Sequence, residues 1–484
     1  MNTGSVVARS VFILLLSQVA TNLLSFVAVP LLPRALGTAD YGRYWVAMTI
    51  AVLGAQLVDW GHEGLLPLAV ARAQGRAQEL LEGSLTLKLL IGLGLALPLE
   101  GLMRLLGYPP RMRLVAFLLY LACVLNVMVR SAMAVLRGLE RMGWPGALRV
   151  GAEATYTAAL VVAVWLGARL EIIAALPIFV TAAALALSAR ALAPLGTRPW
   201  RPRLSAAREL LRDGAPFLVW GGVVALQSSV EAVLLSRFGS PEAVGWFGAS
   251  TKLVGVLLFP ASILSSALAP TLGRLHASDG PSFQRAVREG VRASLLLGVP
   301  VAAGTFLFAD QGVALVFGAG FGPSAANLRI LAAYIVLVFV DIVLASALLV
   351  CGRRITWALS KAAMLALSVG ASVLLIRYWQ ARSGNGGLGA AAVTAGAELG
   401  MLAFALALLP RGLLGSGTLV DLLRALAAGA AMPAATFCLR DTPFGVQLIG
   451  ALGAYAATLA AIGGIGARDV ALLREALRAK SKGR

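Results

Sequence analysis

The stretch that decides the fold is PFLVWGGVVALQSSVEAVLLSRFGSPEAVGWF, residues Pro216–Phe247. It predicts a membrane-spanning helix in which Gln227 and Glu231 interrupt an otherwise apolar run. The span ends at Ser236–Gly239, and the chain re-enters the membrane near Gly245. Because a carboxylate in such a span is costly, we expect Glu231 to face a protein interior or a water-filled cavity.

The same pattern occurs near the start of the chain. Arg34 ends the first predicted span, and Gly42 and Tyr44 open the second. In the later copy, Arg237 is likewise followed eight residues on by a glycine and ten residues on by an aromatic residue. The two copies lie 203 residues apart. This echo predicts an internally duplicated membrane protein.

The composition indicates an all-α polytopic integral membrane protein. The chain is 59% hydrophobic and 13% charged, with a mean hydropathy of +0.85. Its net charge of +19 does not predict a nucleic-acid partner, because basic residues collect in the cytoplasmic loops of membrane proteins. The three cysteines and two histidines form no ligand cluster, so we predict no metal and no cofactor.

Hydropathy predicts about fourteen transmembrane helices, in two duplicated six-helix lobes followed by two extra C-terminal helices. The predicted spans are Ser10–Leu32, Tyr44–Leu66, Ser84–Leu106, Met112–Leu136, Ala147–Leu166, Ile172–Leu192, Pro216–Leu235, Val244–Leu268, Val291–Ala309, Leu328–Val350, Ile355–Ile376, Leu388–Leu409, Val420–Leu439 and Phe444–Ile465. The predicted domains are an N-terminal lobe (1–195), a cytoplasmic linker (196–213), a C-terminal lobe (214–410), two extra helices (411–466) and a basic cytoplasmic tail (467–484). The loop charges predict that both termini face the cytoplasm.

Chemistry in such a chain must come from charges within the spans, because no loop is long enough for a soluble catalytic domain. We therefore predict no enzyme activity. The charged residues are Asp59, Lys88, Arg130, Glu153, Glu231, Lys252, Asp341 and Glu398. Each costs about 2.5–3.5 kcal/mol at mid-bilayer on insertion scales. They indicate a hydrated path, or alternatively pairs that neutralise each other or side chains that reach an interface. Polar residues one turn apart, such as Ser17 and Thr21, often serve only helix packing.

Five further patterns stand at the ends of the predicted spans. They are Leu32–Gly37 and Asp40–Tyr44 in the first loop, Arg137–Arg141 after the fourth span, Val244–Lys252 entering the eighth, and Val316–Phe321 with Leu328–Leu331 before the tenth. These segments resemble bacterial polysaccharide (lipid-linked oligosaccharide) flippases, within the multidrug/oligosaccharidyl-lipid/polysaccharide exporter superfamily. The wider group also holds multidrug extruders and the peptidoglycan-precursor flippase. This sequence departs from the latter in the scarcity of arginine in its first span.

The resemblance implies alternating access and a substrate made of a glycan on a polyprenyl diphosphate, whose lipid tail stays in the bacterial inner membrane. Fixed cations suit a diphosphate, so the candidate substrate-binding residues are Arg130, Lys88 and Lys252. Carboxylates that would bind H⁺ or Na⁺ for coupling or gating are Glu231, Asp341, Glu153 and Glu398. Glycosyltransferases and a polymerase of the same pathway are candidate partners.

Two other functions stay open at this point. One is a cation-coupled multidrug or metabolite extruder, which calls for carboxylates and aromatic residues in place of arginine and lysine. The other is a membrane glycan polymerase or ligase, which commonly carries a large arginine-bearing external loop that this chain lacks.

Overall fold

The computed structural model describes residues 3–141, 143–193, 201–227, 229–410 and 412–464. Throughout this part of the chain the regular structure is helical, without strands, which confirms the predicted all-α class. The predicted basic tail and most of the predicted linker lie outside the described residues.

Seventeen α-helices and two short 3₁₀ turns are found in these residues. The helices are α1 (Thr3–Asp59), α2 (His62–Arg72), α3 (Ala77–Leu105), α4 (Pro110–Gly138), α5 (Gly143–Trp165), α6 (Leu170–Leu192), α7 (Leu204–Gln227), α8 (Val230–Phe238), α9 (Pro241–Leu257), α10 (Phe259–Ser278), α11 (Gly280–Leu307), α12 (Ala309–Phe317), α13 (Ser324–Val350), α14 (Arg354–Ser383), α15 (Gly387–Leu408), α16 (Ser416–Cys438) and α17 (Phe444–Ala461). The 3₁₀ turns are Gln74–Arg76 and Ala319–Phe321.

Among the described helices, eleven are long and apolar enough to cross a membrane, or up to thirteen if each of two bent pairs is one span. Helix α1 alone has 57 residues. As a straight helix it would extend roughly 85 Å, more than twice a bilayer core. It is interrupted at Gly37, whose φ of 73° and ψ of 178° are not helical. Helix α1 therefore holds two spans. Counting it twice raises the number of candidates in the described residues to between twelve and fourteen, and the predicted number of about fourteen is the upper value.

Several span ends differ from the sequence prediction. The second span, predicted as Tyr44–Leu66, ends at Asp59, and the seventh, predicted as Pro216–Leu235, is divided between α7 and α8. The first span continues through Pro33 and Arg34 and breaks at Gly37, because glycine adopts a positive φ without steric cost. The predicted eighth span divides at Leu258 into α9 and α10, which are bent by 42°. Pro260, at the start of α10, has no N–H to continue the α9 hydrogen-bond pattern. The predicted break after Phe238 is confirmed.

The chain forms two compact units. The first comprises Met1–Ala249, Val316–Phe321 and Leu365–Ala390, and the second Ser250–Leu315, Gly322–Met364 and Ala391–Arg484. Within the first unit α4 packs against α1 and α6, while α3 packs against α4 and α7. Within the second unit α11 packs against α10, α13 and α16, and α16 packs against α17. The division into two six-helix lobes stays a prediction.

Helix α7 is fastened to α3 in the first unit by ion pairs and close packing. Arg203 Nε donates to Glu82 Oε2 at 2.8 Å, and Arg76 donates to Glu209 at 2.7 Å. A Cβ on Gly83 would crowd Ala206, so this glycine allows the two backbones to approach closely. The start of α7 is thus held against the helices that carry the candidate site.

The two echo sequences contact each other within the first unit. A Cβ placed on Gly42 would overlap the Pro241 carbonyl oxygen, and one placed on Gly245 would overlap the Thr38 carbonyl oxygen. Thr38 and Pro241 are separated by the same 203 residues as the two glycines. Each copy therefore presents its glycine to the corresponding carbonyl of the other, as in a two-fold interface.

The turn at Val316–Phe321 covers this contact. Arg34 Nε donates to the Val316 carbonyl at 2.9 Å, and Trp246 Nε1 donates to the Gly320 carbonyl at 3.2 Å. The Tyr41 and Phe321 rings meet edge to face with centroids 5.9 Å apart. This end of the first unit is therefore closed by both backbone and aromatic contacts.

Replacing Gly42 or Gly245 by alanine should strain the echo contact, because each new methyl group meets a backbone oxygen. We expect each variant to lower the melting temperature of the detergent-solubilised protein by several degrees, from about 1–3 kcal/mol of overpacking. Gly151→Ala is the matched control, since a Cβ there has no atom within 4 Å. Identical melting temperatures for the Gly42→Ala and Gly151→Ala proteins would contradict the contact.

Candidate functional site

A buried ion pair lies where α1, α3 and α4 meet in the first unit. The Lys88 side chain has no exposed surface, and that of Asp59 is 2% exposed. Lys88 Nζ donates to Asp59 Oδ1 at 2.8 Å and to the Val127 carbonyl at 2.7 Å. The Lys88 ammonium is thus bound by groups of the protein itself. Its predicted contact with the diphosphate stays a prediction.

A second set of buried hydrogen bonds joins the same helices. His62 Nδ1 and Ser84 Oγ share a hydrogen bond of 2.7 Å, and Ser84 Oγ and Ser131 Oγ share one of 2.9 Å. His62 and Ser84 are fully buried, and Ser131 is 1% exposed. These bonds tie α2, α3 and α4 together one turn from the ion pair.

Arg130 is the cation of this layer that retains exposed surface. Arg130 Nη1 donates to Glu63 Oε2 at 2.8 Å. The Arg130 side chain is 32% exposed and that of Glu63 is 47% exposed. The Glu63 backbone N–H in turn donates to Asp59 Oδ2 at 3.2 Å. Asp59 therefore connects the buried Lys88 to the exposed Glu63–Arg130 pair.

The break between α1 and α2 brings the Glu63 backbone N–H next to the Asp59 carboxylate. Trp60 and Gly61 both have positive φ values, 52° and 75°. Trp60 Nε1 donates to the Leu211 carbonyl at 2.7 Å, which holds the strained residue against α7. Sequence analysis missed Glu63, which fell inside the predicted second span Tyr44–Leu66, because the break at Trp60 and Gly61 before α2 was not recognised.

Glu153 lies on α5 and contacts α1. Ser25 Oγ donates to Glu153 Oε1 at 2.6 Å, across 128 residues of sequence. Both side chains are half-buried. The structure thus places Glu153 beside the polar side of the first span, apart from the hydrogen bonds around Lys88.

Glu231 stands in the first turn of α8, directly after the break that ends α7, and it is 5% exposed. Lys252 lies on α9 in the second unit and is exposed. Neither residue joins the hydrogen bonds described above. Their predicted roles in coupling and in substrate binding stay predictions.

The second unit contains a pair of buried carboxyl groups. Asp341 on α13 and Glu398 on α15 are 6% and 7% exposed. The two carboxyl groups lie close enough to interact with each other, and the ammonium of Lys361, on α14, is also near. Sequence analysis did not single out Lys361, whose ammonium also lies 5.4 Å from the Trp357 ring.

Among the described residues, no group of three or more histidine, cysteine, aspartate or glutamate side chains could hold a metal ion. The charged side chains described above lie in both units, on different helices.

The chain matches a family model described as "Polysaccharide biosynthesis protein" over residues 7–276. No curated protein matches it by sequence. Its fold is similar to that of the lipid II flippase MurJ in an inward closed conformation, with a TM-score of 0.74 and 12% identity over 94% of this chain and 99% of that one.

Transporters of a second type share the fold. An inward-facing multidrug resistance MATE family transporter of the MOP superfamily gives a TM-score of 0.61 and 16% identity, over 84% of this chain and 94% of that one. The Vibrio cholerae MATE transporter VcmN, in its bent form, gives 0.53 and 16%, over 88% and 98%. At these identities the similarity concerns the fold alone.

Removing one partner of the buried ion pair should strongly destabilise the first unit. Lys88→Met leaves the Asp59 carboxylate buried and unpaired, which costs about 3–5 kcal/mol. Thermal unfolding in detergent should show a large loss for Lys88→Met and a partial recovery when Asp59→Asn is added. Arg104→Gln, at a pair whose arginine is 68% exposed, should change stability by less than about 1 kcal/mol. A double variant as unstable as the single one would contradict this coupling.

Proposed function

This chain belongs to the polysaccharide biosynthesis protein family, and from that premise we propose that it is a flippase. It carries a polyprenyl-diphosphate-linked oligosaccharide across the cytoplasmic membrane by alternating access, for the synthesis of cell-surface polysaccharide. The motif resemblance to this family is confirmed by the family match. Support for the flippase type comes from the fold shared with the lipid II flippase MurJ.

The observation that carries this proposal is the partly exposed Arg130 within an apolar helix. Its guanidinium pairs with the exposed Glu63, and Asp59 links Glu63 to the buried Lys88. An arginine offers two parallel N–H groups that match phosphate oxygens. A diphosphate arriving here would replace Glu63 as the partner of Arg130. Lys252 is proposed as a further cation for the head group.

The buried carboxyl groups provide for coupling in this proposal. The Asp341–Glu398 pair is nearly buried, and the binding of a proton or a sodium ion there would change its net charge. Such a change alters the energy of the pair strongly in low dielectric surroundings. Glu231, at a helix break in the first unit, is proposed as a further coupling carboxylate. Membrane lipid and enzymes of the same pathway are the proposed partners, and no enzyme activity is proposed.

A cation-coupled multidrug or metabolite extruder is the second candidate. The buried carboxyl pair supports it as well as it supports a flippase, since that pair would serve coupling in either function. The two candidates differ in the need for Arg130, because an extruder of cationic compounds gains nothing from a fixed cation.

Loss of the Arg130 guanidinium should cripple glycan export without lowering the amount of protein. In a deletion strain, the Arg130→Ala protein should leave lipid-linked repeat units on the cytoplasmic face, with export reduced by about tenfold or more. Arg130→Lys should restore export partly, since it keeps the charge and loses the paired N–H groups.

Glu231→Gln should abolish gradient-driven export and spare substrate binding.

Arg72→Ala is the control, because Arg72 is an exposed arginine on α2. Normal export by both Arg130→Ala and Glu231→Gln would refute the proposed roles of these residues. A deletion strain that accumulates no lipid-linked repeat units would refute the flippase proposal itself.

The loop charges lead us to propose that both termini face the cytoplasm. Reporter fusions at Arg201 and in the tail near Arg478, which lies outside the described residues, should therefore report a cytoplasmic position. A fusion at Gly107, in the turn between α3 and α4, should report the opposite side. An external signal from Arg201 would overturn this orientation.

A further inference from the structure

The first half of α1 has a polar face and an apolar face. Its polar side chains are Ser17, Gln18, Thr21, Asn22 and Ser25. At roughly 100° per residue they fall within an arc of about 140°, which we name the polar arc. The exposed apolar side chains of the same segment lie on the other side: Leu16, Val19, Leu23, Phe26 and Val27. Since lipid accepts only the apolar side, the polar arc faces protein or a water-filled space.

The polar arc retains unused hydrogen-bonding groups. Gln18 Nε2 donates to Asn22 Oδ1 at 3.1 Å. Within the described part of the chain, neither side chain makes another hydrogen bond. The Gln18 carbonyl oxygen and the Asn22 amide hydrogens are therefore open to a ligand. Both side chains are half-buried, so a ligand can reach them.

Helix α5 adds two groups opposite the polar arc. Glu153 accepts the Ser25 hydroxyl through one carboxylate oxygen. Thr157 follows four residues later, and residues four apart share one face of a helix. Its side chain is 6% exposed, and its Oγ1 has no hydrogen-bond partner among the described residues. A buried hydroxyl without a protein partner calls for a physical explanation, and a hydrogen bond to a bound ligand would provide one.

We propose that the polar arc, together with Glu153 and Thr157, is a binding surface for the sugar hydroxyl groups of the substrate. This inference rests on the proposed flippase function and names which part of the substrate this surface takes. Amide and hydroxyl side chains donate and accept hydrogen bonds, as sugar hydroxyls do. The five polar positions extend over about 12 Å at 1.5 Å per residue, enough for more than one sugar ring.

The charge of the surface separates the sugar from the diphosphate. Glu153 is the charged side chain of the surface, and a carboxylate repels phosphate while accepting hydrogen bonds from sugar hydroxyls. The diphosphate is left to Arg130, which belongs to a different set of hydrogen bonds. Glu153 is thus a sugar ligand in this proposal, in place of the coupling role predicted from sequence.

The test compares two lipid probes with the full-length protein in nanodiscs. One probe is the lipid-linked oligosaccharide extracted from a strain that lacks the gene, and the other is the sugar-free polyprenyl diphosphate. We expect the double variant Gln18→Leu/Asn22→Leu to bind the glycosylated probe about tenfold more weakly, since two hydrogen bonds are lost. Its affinity for the sugar-free probe should be unchanged. Arg130→Ala should weaken binding of both probes.

Thr157→Val separates ligand binding from packing. It removes a hydroxyl that has no protein partner, so the melting temperature should stay equal or rise. The affinity for the glycosylated probe should nevertheless fall severalfold. Leu23→Ala, on the lipid side of α1, is the control and should bind both probes as the unaltered protein does.

Three results would overturn the inference while the flippase proposal stands. They are equal affinity of the unaltered protein for both probes, equal weakening of both probes by the double variant, and no weakening by either the double variant or Thr157→Val. Failure of the unaltered protein to bind either probe would instead refute the proposed function, and the sugar surface with it.

Discussion

A lysine without exposed surface inside an apolar helix bundle needs a counter-charge within hydrogen-bond distance, and the first unit is arranged around that need. Asp59 lies 2.8 Å from Lys88 and joins the end of α1 to the middle of α3. The other Asp59 oxygen accepts the Glu63 backbone N–H at the start of α2. Glu63, the partner of Arg130, is therefore held in place by an ion pair that is buried away from solvent.

The echo contact imposes a different kind of constraint. Glycine is needed at Gly42 and at Gly245 because a backbone carbonyl of the other copy occupies the space of a side chain. Two copies of one sequence pattern thus meet through equivalent atoms, as expected when duplicated elements face each other around a pseudo-two-fold axis. The contact explains why the pattern includes a glycine at that position in both copies.

The charged side chains fall into groups with different chemistry. Around Lys88 every charge has an opposite partner, which favours a fixed structure. Asp341 and Glu398 are two acidic side chains buried near each other, with Lys361 nearby. Two acidic groups in one buried site lack the mutual compensation that Lys88 and Asp59 give each other. On this difference we propose binding for the fixed cations and coupling for the carboxyl pair.

The amino-acid sequence determined the all-α membrane class, the approximate number of spans and the family, because hydropathy and local motifs are properties of short segments. It also identified the intramembrane charges, including Arg130 and Glu231. It could not decide their partners. Lys88 looked available to substrate, yet Asp59, 29 residues earlier, neutralises it. Glu63 and Lys361 were missed, and Ser25 met Glu153 across 128 residues. Which charges pair and which stay exposed depends on how helices pack, and packing follows from three-dimensional shape that no short segment contains.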